Sequence, residues 1–335
     1  MKTKSIRKLY SVILLASVVA GVLPPGLLAQ RGPQDSWYLD KEVPLPDMPG
    51  LNSPKGLDFA PNGDAYVVDH GNDRVSVWDA NGSFLRGWGK VGSGNGQFNN
   101  PYGIAVTADE VFVPDYSNHR VQVFDLQGNF LRKWGSSGTS DGNFNGPTGL
   151  TVDVVDANLT EIYVTDYGNH RIQVFDANGT FLRKFGNSTL NNNPVDVKIG
   201  PDGLVYVSSY GRNRIKVFQK DGTYLREFNP TNNPYTIDFL GNRLAVANSA
   251  NHRVRIFETN GTLVTTIGSG TASSDAGQFN ASRGVAVSPS GDLHVACSNN
   301  HRIQVFDANG TYKRTYGSYG SAGVDTTDVV HTPEN

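Results

Sequence analysis

The chain has 335 residues, 29 of them basic and 31 acidic, for a formal charge of −2. Residues 1–29 hold four of the basic residues and no acidic ones, so residues 30–335 carry 25 basic against 31 acidic, a net −6. That balance argues against sequence-independent binding to phosphate backbones, and a single cysteine, Cys297, rules out a disulfide framework.

At the N-terminus, Lys2, Lys4, Arg7 and Lys8 precede the apolar run SVILLASVVAGVL, with small residues and a cleavable position after Ala29. This order reads as an export signal. The run is shorter than the ~20 apolar residues a bilayer span needs, so no membrane span is expected in the mature chain. No cysteine lies near the cut, which disfavours a lipid anchor. The protein is therefore expected to be secreted or periplasmic. Residues 30–50 read as an N-terminal segment, in which SWYLDKEV at 36–43 could add an outer strand somewhere.

From residue 51 the chain repeats itself. Six segments align on one arginine: NDRVSVWDANGSFLRGWG at 72, NHRVQVFDLQGNFLRKWG at 118, NHRIQVFDANGTFLRKFG at 169, RNRIKVFQKDGTYLREFN at 212, NHRVRIFETNGTLVTTIG at 251 and NHRIQVFDANGTYKRTYG at 300. The aligned arginines, Arg74, Arg120, Arg171, Arg214, Arg253 and Arg302, are 39–51 residues apart. A propeller blade takes roughly 40–50 residues, whereas ankyrin and leucine-rich repeats are shorter. Each unit alternates apolar and polar residues, as strands do. Asn-Gly or Asp-Gly then supplies a hairpin turn whose central residues need positive φ. Two strands precede each arginine, as in GIAVTA and EVFVPD, and Gly-rich connections such as GQFNNP introduce each first strand. Four strands in each of six units, with no helical pattern, predict an all-β, six-bladed β-propeller of four-stranded antiparallel blades at 51–317. The blades are expected at 51–89, 97–135, 143–186, 191–228, 231–268 and 278–317, with 318–335 as a loose C-terminal tail. Ring closure is expected from blade 1 packing on blade 6 or from an end segment.

The pattern N-H-R-[VI]-x-V-F-D-x-x-G-x-[FL]-L, preceded by P-x-G-[IL]-x-V, resembles the NHL repeat, over about residues 51–317. The resemblance implies the propeller fold. It leaves the function open, because NHL propellers occur in RNA-binding, protein-binding, lyase and bacterial surface proteins. Blade 4 departs most, with Arg212 and Asn213 in place of Asn-His. The preferred expectation is an exported, monomeric propeller binding a protein or a small polar or anionic ligand through its loop face. A metal-dependent lyase or hydrolase resembling the peptidyl-hydroxyglycine amidating lyases is the alternative. RNA binding is disfavoured by the export signal and the acidic charge, and no nucleic-acid partner is expected.

Four histidines, His119, His170, His252 and His301, precede the repeat arginine. Equivalent positions on adjacent blades lie ~10 Å apart, too far for ligands that must sit ~2.0–2.1 Å from one zinc ion. They are expected to be turn residues, and neither a metal site nor another cofactor is expected. The DGNFNG at 141–146 opens like a calcium loop but has Val152 where a bidentate Glu belongs. The arginines are expected to brace their own blades, and Asp69, Asp115 and Asp166 to accept turn N–H groups. Cys297 is expected to be a buried free thiol. Binding is expected where the repeat is broken: Lys55 and Arg283 side by side at the blade 1–6 seam, with His70 nearby, and Tyr102, Tyr116 and Tyr167 continuing around the mouth. No catalytic residue is assigned.

Overall fold

The computed structural model describes residues 50–320, apart from 157, 158, 187, 188, 191 and 231. Six four-stranded antiparallel sheets follow one another in the sequence, each with its strands a, b, c and d adjacent in chain order. The inner strands a (57–59, 105–106, 147–156, 194–199, 234–240 and 282–287) touch their neighbours around a ring, and the first touches the last. The expected export signal, residues 30–49 including SWYLDKEV, and residues 321–335 lie outside the described residues.

Although apolar and polar residues alternate along them, strands b and c are buried on both faces. The c strands Arg74–Trp78 and Arg120–Phe124 are wholly buried, because each sheet is sandwiched between two neighbours. Their polar residues therefore have assigned partners. Gln122 donates Nε2 to the Gln97 carbonyl at 2.7 Å and accepts the Gly96 N–H at 3.0 Å. Only the rim strands d alternate between half-buried and exposed.

The Asn-His-Arg words hold both a blade and its neighbour. Each b–c connection is a three-residue 3-10 turn closed by one left-handed residue: Asp73, His119, His170, Asn213, His252 or His301, with φ between 49° and 57°. Asp, Asn and His tolerate this region better than most non-glycine residues. From there each side chain accepts the backbone N–H of a second left-handed residue on the next blade. Asn100 donates to Asp73 Oδ1 at 2.7 Å, Gly146 to His119 Nδ1 at 3.0 Å and Asn193 to His170 Nδ1 at 3.2 Å. Asn233 donates to Asn213 Oδ1 at 2.7 Å, Ala281 to His252 Nδ1 at 2.9 Å and Ser53 to His301 Nδ1 at 3.1 Å. The last closes blade 6 onto blade 1.

In blades 1–3 the arginine braces its own blade as expected. Arg74, Arg120 and Arg171 donate Nε at 2.8 Å to buried Asp69, Asp115 and Asp166. The second carboxylate oxygens accept the Asn52, Asn99 and Asn145 N–H groups. Blades 4–6 carry Ser209, Asn248 and Cys297 instead, and their arginines turn to Glu227 or to backbone carbonyls. Cys297 is the buried free thiol expected.

At the opposite face, strand d supplies a second set of ties. Arg86, Arg132, Arg183, Arg226 and Arg314 each donate to a c–d turn carbonyl of the next blade: Leu126, Ala177, Lys220, Thr259 and Ala80. Blade 5 has Thr265 there. The turn glycines pack on the neighbour's last strand residue. A Cβ on Gly128 (φ 91°) would lie 2.5 Å from the Trp88 ring, and one on Gly179 (φ 85°) 2.6 Å from Trp134. Glycine is thus required by both conformation and contact.

Closure uses both expected routes. The a strands of blades 1 and 6 meet, and Gly50–Leu51 pairs in parallel with Ser318–Tyr319. Residues 318–319, expected to be loose tail, are strand because Leu51 and Tyr319 supply backbone partners at the seam; Asn72 Nδ2 also donates to the Gly320 carbonyl at 2.8 Å.

Removing one latch acceptor leaves a backbone N–H short of a partner, which costs about 1–3 kcal/mol. His119→Ala should therefore lower the urea midpoint, whereas His119→Asn, copying blade 4, should retain most of the stability. Equal midpoints for the two variants would refute the latch role.

Candidate functional site

The b–c turns and the mouths of strands a face the same end of the ring. There, a pocket of about 260 Å³ is lined by Lys55, His70, Asn100, Tyr102, Tyr116, Thr148 and Tyr167. The structure thus brings together five of the six residues singled out from the sequence. Arg283, the sixth, is not in the lining; its guanidinium carbon sits 5.7 Å from the centre of the Tyr235 ring, which stacks on Tyr102. Lys55 and Arg283 are neighbours across the seam, since the backbone carbonyl of Lys55 abuts Gly284.

Tyrosines form the wall. Ring centres run from Tyr116 to Tyr167 at 6.2 Å, Tyr102 to Tyr116 at 5.6 Å, Tyr102 to Tyr235 at 5.8 Å and Tyr235 to Tyr210 at 6.1 Å. The Tyr102 and Tyr235 hydroxyls share a hydrogen bond across the axis, and burial raises the pKa of both phenols. Tyr235, Tyr210 and Thr148 were not singled out beforehand. The signal was present, because Tyr235 and Thr148 share the repeat position of Lys55, and Tyr210 shares that of Tyr116.

Lys55 sets the electrostatics. Its side chain is only 5% exposed, and Nζ lies 3.5 Å from the centre of the Tyr102 ring. Among the described residues no carboxylate pairs with it, and Arg283 repels it. Burial first, and the Arg283 charge second, lower its pKa to about 6. His70 donates its Nδ1–H to the Pro101 carbonyl at 2.9 Å. Burial, then Lys55, and later Arg283 lower its pKa to about 4. Near neutral pH the Lys55 amine and the His70 imidazole are therefore largely uncharged, because no carboxylate among the described residues offsets their desolvation.

Below this mouth, the broken positions of the inner strands stitch blades together. Asp58 accepts the Val106 N–H at 2.8 Å, Asp196 that of Ile237 at 2.9 Å, and Asp238 that of Val287 at 2.7 Å. Each acceptor lies one blade before its donor. Lys198 feels the charges of all three carboxylates, which raise its pKa against burial. Asp141, which opens the calcium-like motif, is bound to Lys184. Among the described residues, no three His, Cys, Asp or Glu side chains are grouped to hold a metal ion, and no helix is long and apolar enough to cross a membrane.

Between about pH 6 and 10.5 the unfolded chain holds a proton on Lys55 that the folded pocket does not, so this group makes stability rise with pH across that window. In Lys55→Met that contribution should vanish, and the variant should gain most over the parent at pH 6 and below. Denaturation midpoints at pH 6 and pH 9 check it; an unchanged pH slope in Lys55→Met would contradict the assignment.

Comparison with known proteins agrees with this architecture. The NHL repeat family model matches residues 98–124, 144–175 and 283–306. No curated protein matches the chain. A solved structure of catalytically inactive virginiamycin B lyase from Staphylococcus aureus with quinupristin is similar, with a TM-score of 0.58 at 16% identity, covering 81% of this chain and 86% of that one. A selenomethionine form of the same lyase gives 0.58 at 16%, covering 82% and 88%. A streptogramin B lyase structure gives 0.56 at 14%, covering 84% and 86%. At these identities the likeness is one of fold. With three matched repeats, six in-phase copies of the motif and six blades in a ring, the chain carries NHL repeats and folds as a six-bladed β-propeller.

Proposed function

We propose that the protein is an exported propeller that binds a ligand or partner at the tyrosine-lined mouth of its ring, and that the group it takes there is an anion. The observation that carries this reading is Lys55, a buried amine over a tyrosine face with an arginine nearby and, among the described residues, no carboxylate paired to it. By contrast, buried Arg74, Arg120 and Arg171 pair with Asp69, Asp115 and Asp166, and Lys216 with Glu227. A buried amine with no internal partner to hold its proton is suited to a counter-charge brought from outside. Tyrosine-rich, arginine-bearing surfaces are also what protein interfaces favour, so the anion is either a small molecule or an acidic side chain of a protein. Export rests on the basic and apolar character of residues 1–29.

An entering anion offsets the desolvation of the ammonium, so binding should take up a proton at Lys55. Affinity should fall as pH rises above about 6. Recovery of partners from the extracellular fraction, with the mature chain as bait, tests the site directly. Lys55→Glu combined with Arg283→Glu should abolish recovery while the circular dichroism spectrum is unchanged. Once a partner is in hand, calorimetry in buffers of different ionisation enthalpy should report the proton uptake. Undiminished recovery by the double variant would sink the proposal.

A further inference from the structure

A second cleft, of about 380 Å³, opens at the opposite end of the ring, between blades 6 and 1. It lies between the a–b turn of blade 1, the a–b turn of blade 6 and the start of the blade 6 strand d. Phe59, Asn62, Ser288, Ser290, His294 and Arg314 are among its lining residues.

The repeat supplies its own control for what this cleft lacks. In blades 2 and 3 the strand d arginine forks onto a glutamate of its own blade. Arg132 donates Nη1 and Nη2 to Glu110 at 2.5 and 2.8 Å, and Arg183 to Glu161 at 2.5 and 2.7 Å. In blades 1 and 4 a tyrosine hydroxyl stands in: Arg86 donates to Tyr66 at 3.0 Å and Arg226 to Tyr206 at 3.1 Å. Blade 6 has neither. Its counterpart of Tyr66 and Tyr163 is His294, whose Nδ1 is 3.1 Å from the Tyr316 hydroxyl. Its counterpart of Glu110 is Asp292, one methylene shorter and bound to Lys313 at 2.7 Å. Arg314 keeps its tie to the Ala80 carbonyl, but Nη1 is buried without a hydrogen-bond partner.

We infer that this cleft is a carboxylate-binding site, in which the carboxylate of an incoming ligand takes the place on Arg314 that Glu110 and Glu161 fill on Arg132 and Arg183. The guanidinium fork matches a planar carboxylate in two parallel bonds. Asp292, the one acid in the lining, is already neutralised by Lys313. Ser288, Ser290 and the Asn62 amide offer hydroxyl and amide groups to the remainder of the ligand, while Phe59, Pro61 and Pro289 give it an apolar floor. That lining suits a short, polar carboxylic acid such as a hydroxy acid, or the acidic side chain of a protein.

The test is titration of the full chain, followed by NMR of the Arg314 Nε–H and His294 ring signals. One arm uses malate, a second an acetylated, amidated peptide with a single Asp, and a third inorganic phosphate. Binding of malate or of the peptide supports the site and identifies its source, with phosphate weaker. Arg314→Gln should weaken binding about tenfold or more, as loss of a charge-assisted hydrogen bond implies. Arg183→Gln, at an arginine whose Nε, Nη1 and Nη2 all have partners, should leave it unchanged. Asp292→Glu should plant the missing carboxylate, raise the unfolding midpoint and close the site to both probes. No shift with malate or peptide, a response to phosphate alone, or binding that survives in Arg314→Gln would overturn the inference.

Discussion

Everything in this ring depends on one hydrogen bond, made six times, from a left-handed backbone N–H on one blade to a left-handed side-chain acceptor on the blade before. Both partners sit in a conformation that costs L-residues about 1–2 kcal/mol. Stability therefore comes from the contact that the conformation makes possible. The acceptor has to be short and rigid, and to carry a lone pair toward the neighbour. His, Asp and Asn meet that need, and those are the residues found at positions 73, 119, 170, 213, 252 and 301. For the four histidines it fixes the tautomer: Nδ1 accepts, so the proton is on Nε2. An imidazole committed this way has one nitrogen already engaged.

Much of this was legible in the sequence, because a repeat writes the same physical problem six times. Phase alone places Lys55 beside Arg283, since a closed ring makes the first and last units neighbours. It also marked the histidines as turn residues. What phase did not carry is direction. Nothing in N-H-R says that the imidazole reaches forward to the next blade while the arginine reaches back to Asp69, Asp115 or Asp166. The strand d arginine ties five blade pairs, yet a rim arginine looks the same in one dimension whether or not it is held. Charge state was also hidden. Lys55 and His70 read as cations, and only their burial shows that the pocket discharges them.

The two cavities follow from the same logic of broken repetition. Where a tie is complete, the polar groups face each other and leave no surplus. Where a substitution removes one side, the other keeps its chemistry and gains space. At the mouth the surplus is an amine among tyrosines; at the far end of the seam it is half of a guanidinium fork. Neither needed a new loop or inserted domain. At Arg314 the missing member belongs to a pair that is intact in blades 2 and 3.

The six latches look alike, but one is reached from much farther along the chain. Five join residues 20–29 positions apart, whereas Ser53 and His301 are 248 apart. Bringing such distant partners together from a flexible chain costs about 2 kcal/mol more in loop entropy for the same bond. Blades can accordingly form and dock in succession, with the seam closing last and reopening first. Thermal breathing of the ring should concentrate there, at the joint between blades 1 and 6 that Lys55 and Arg314 flank.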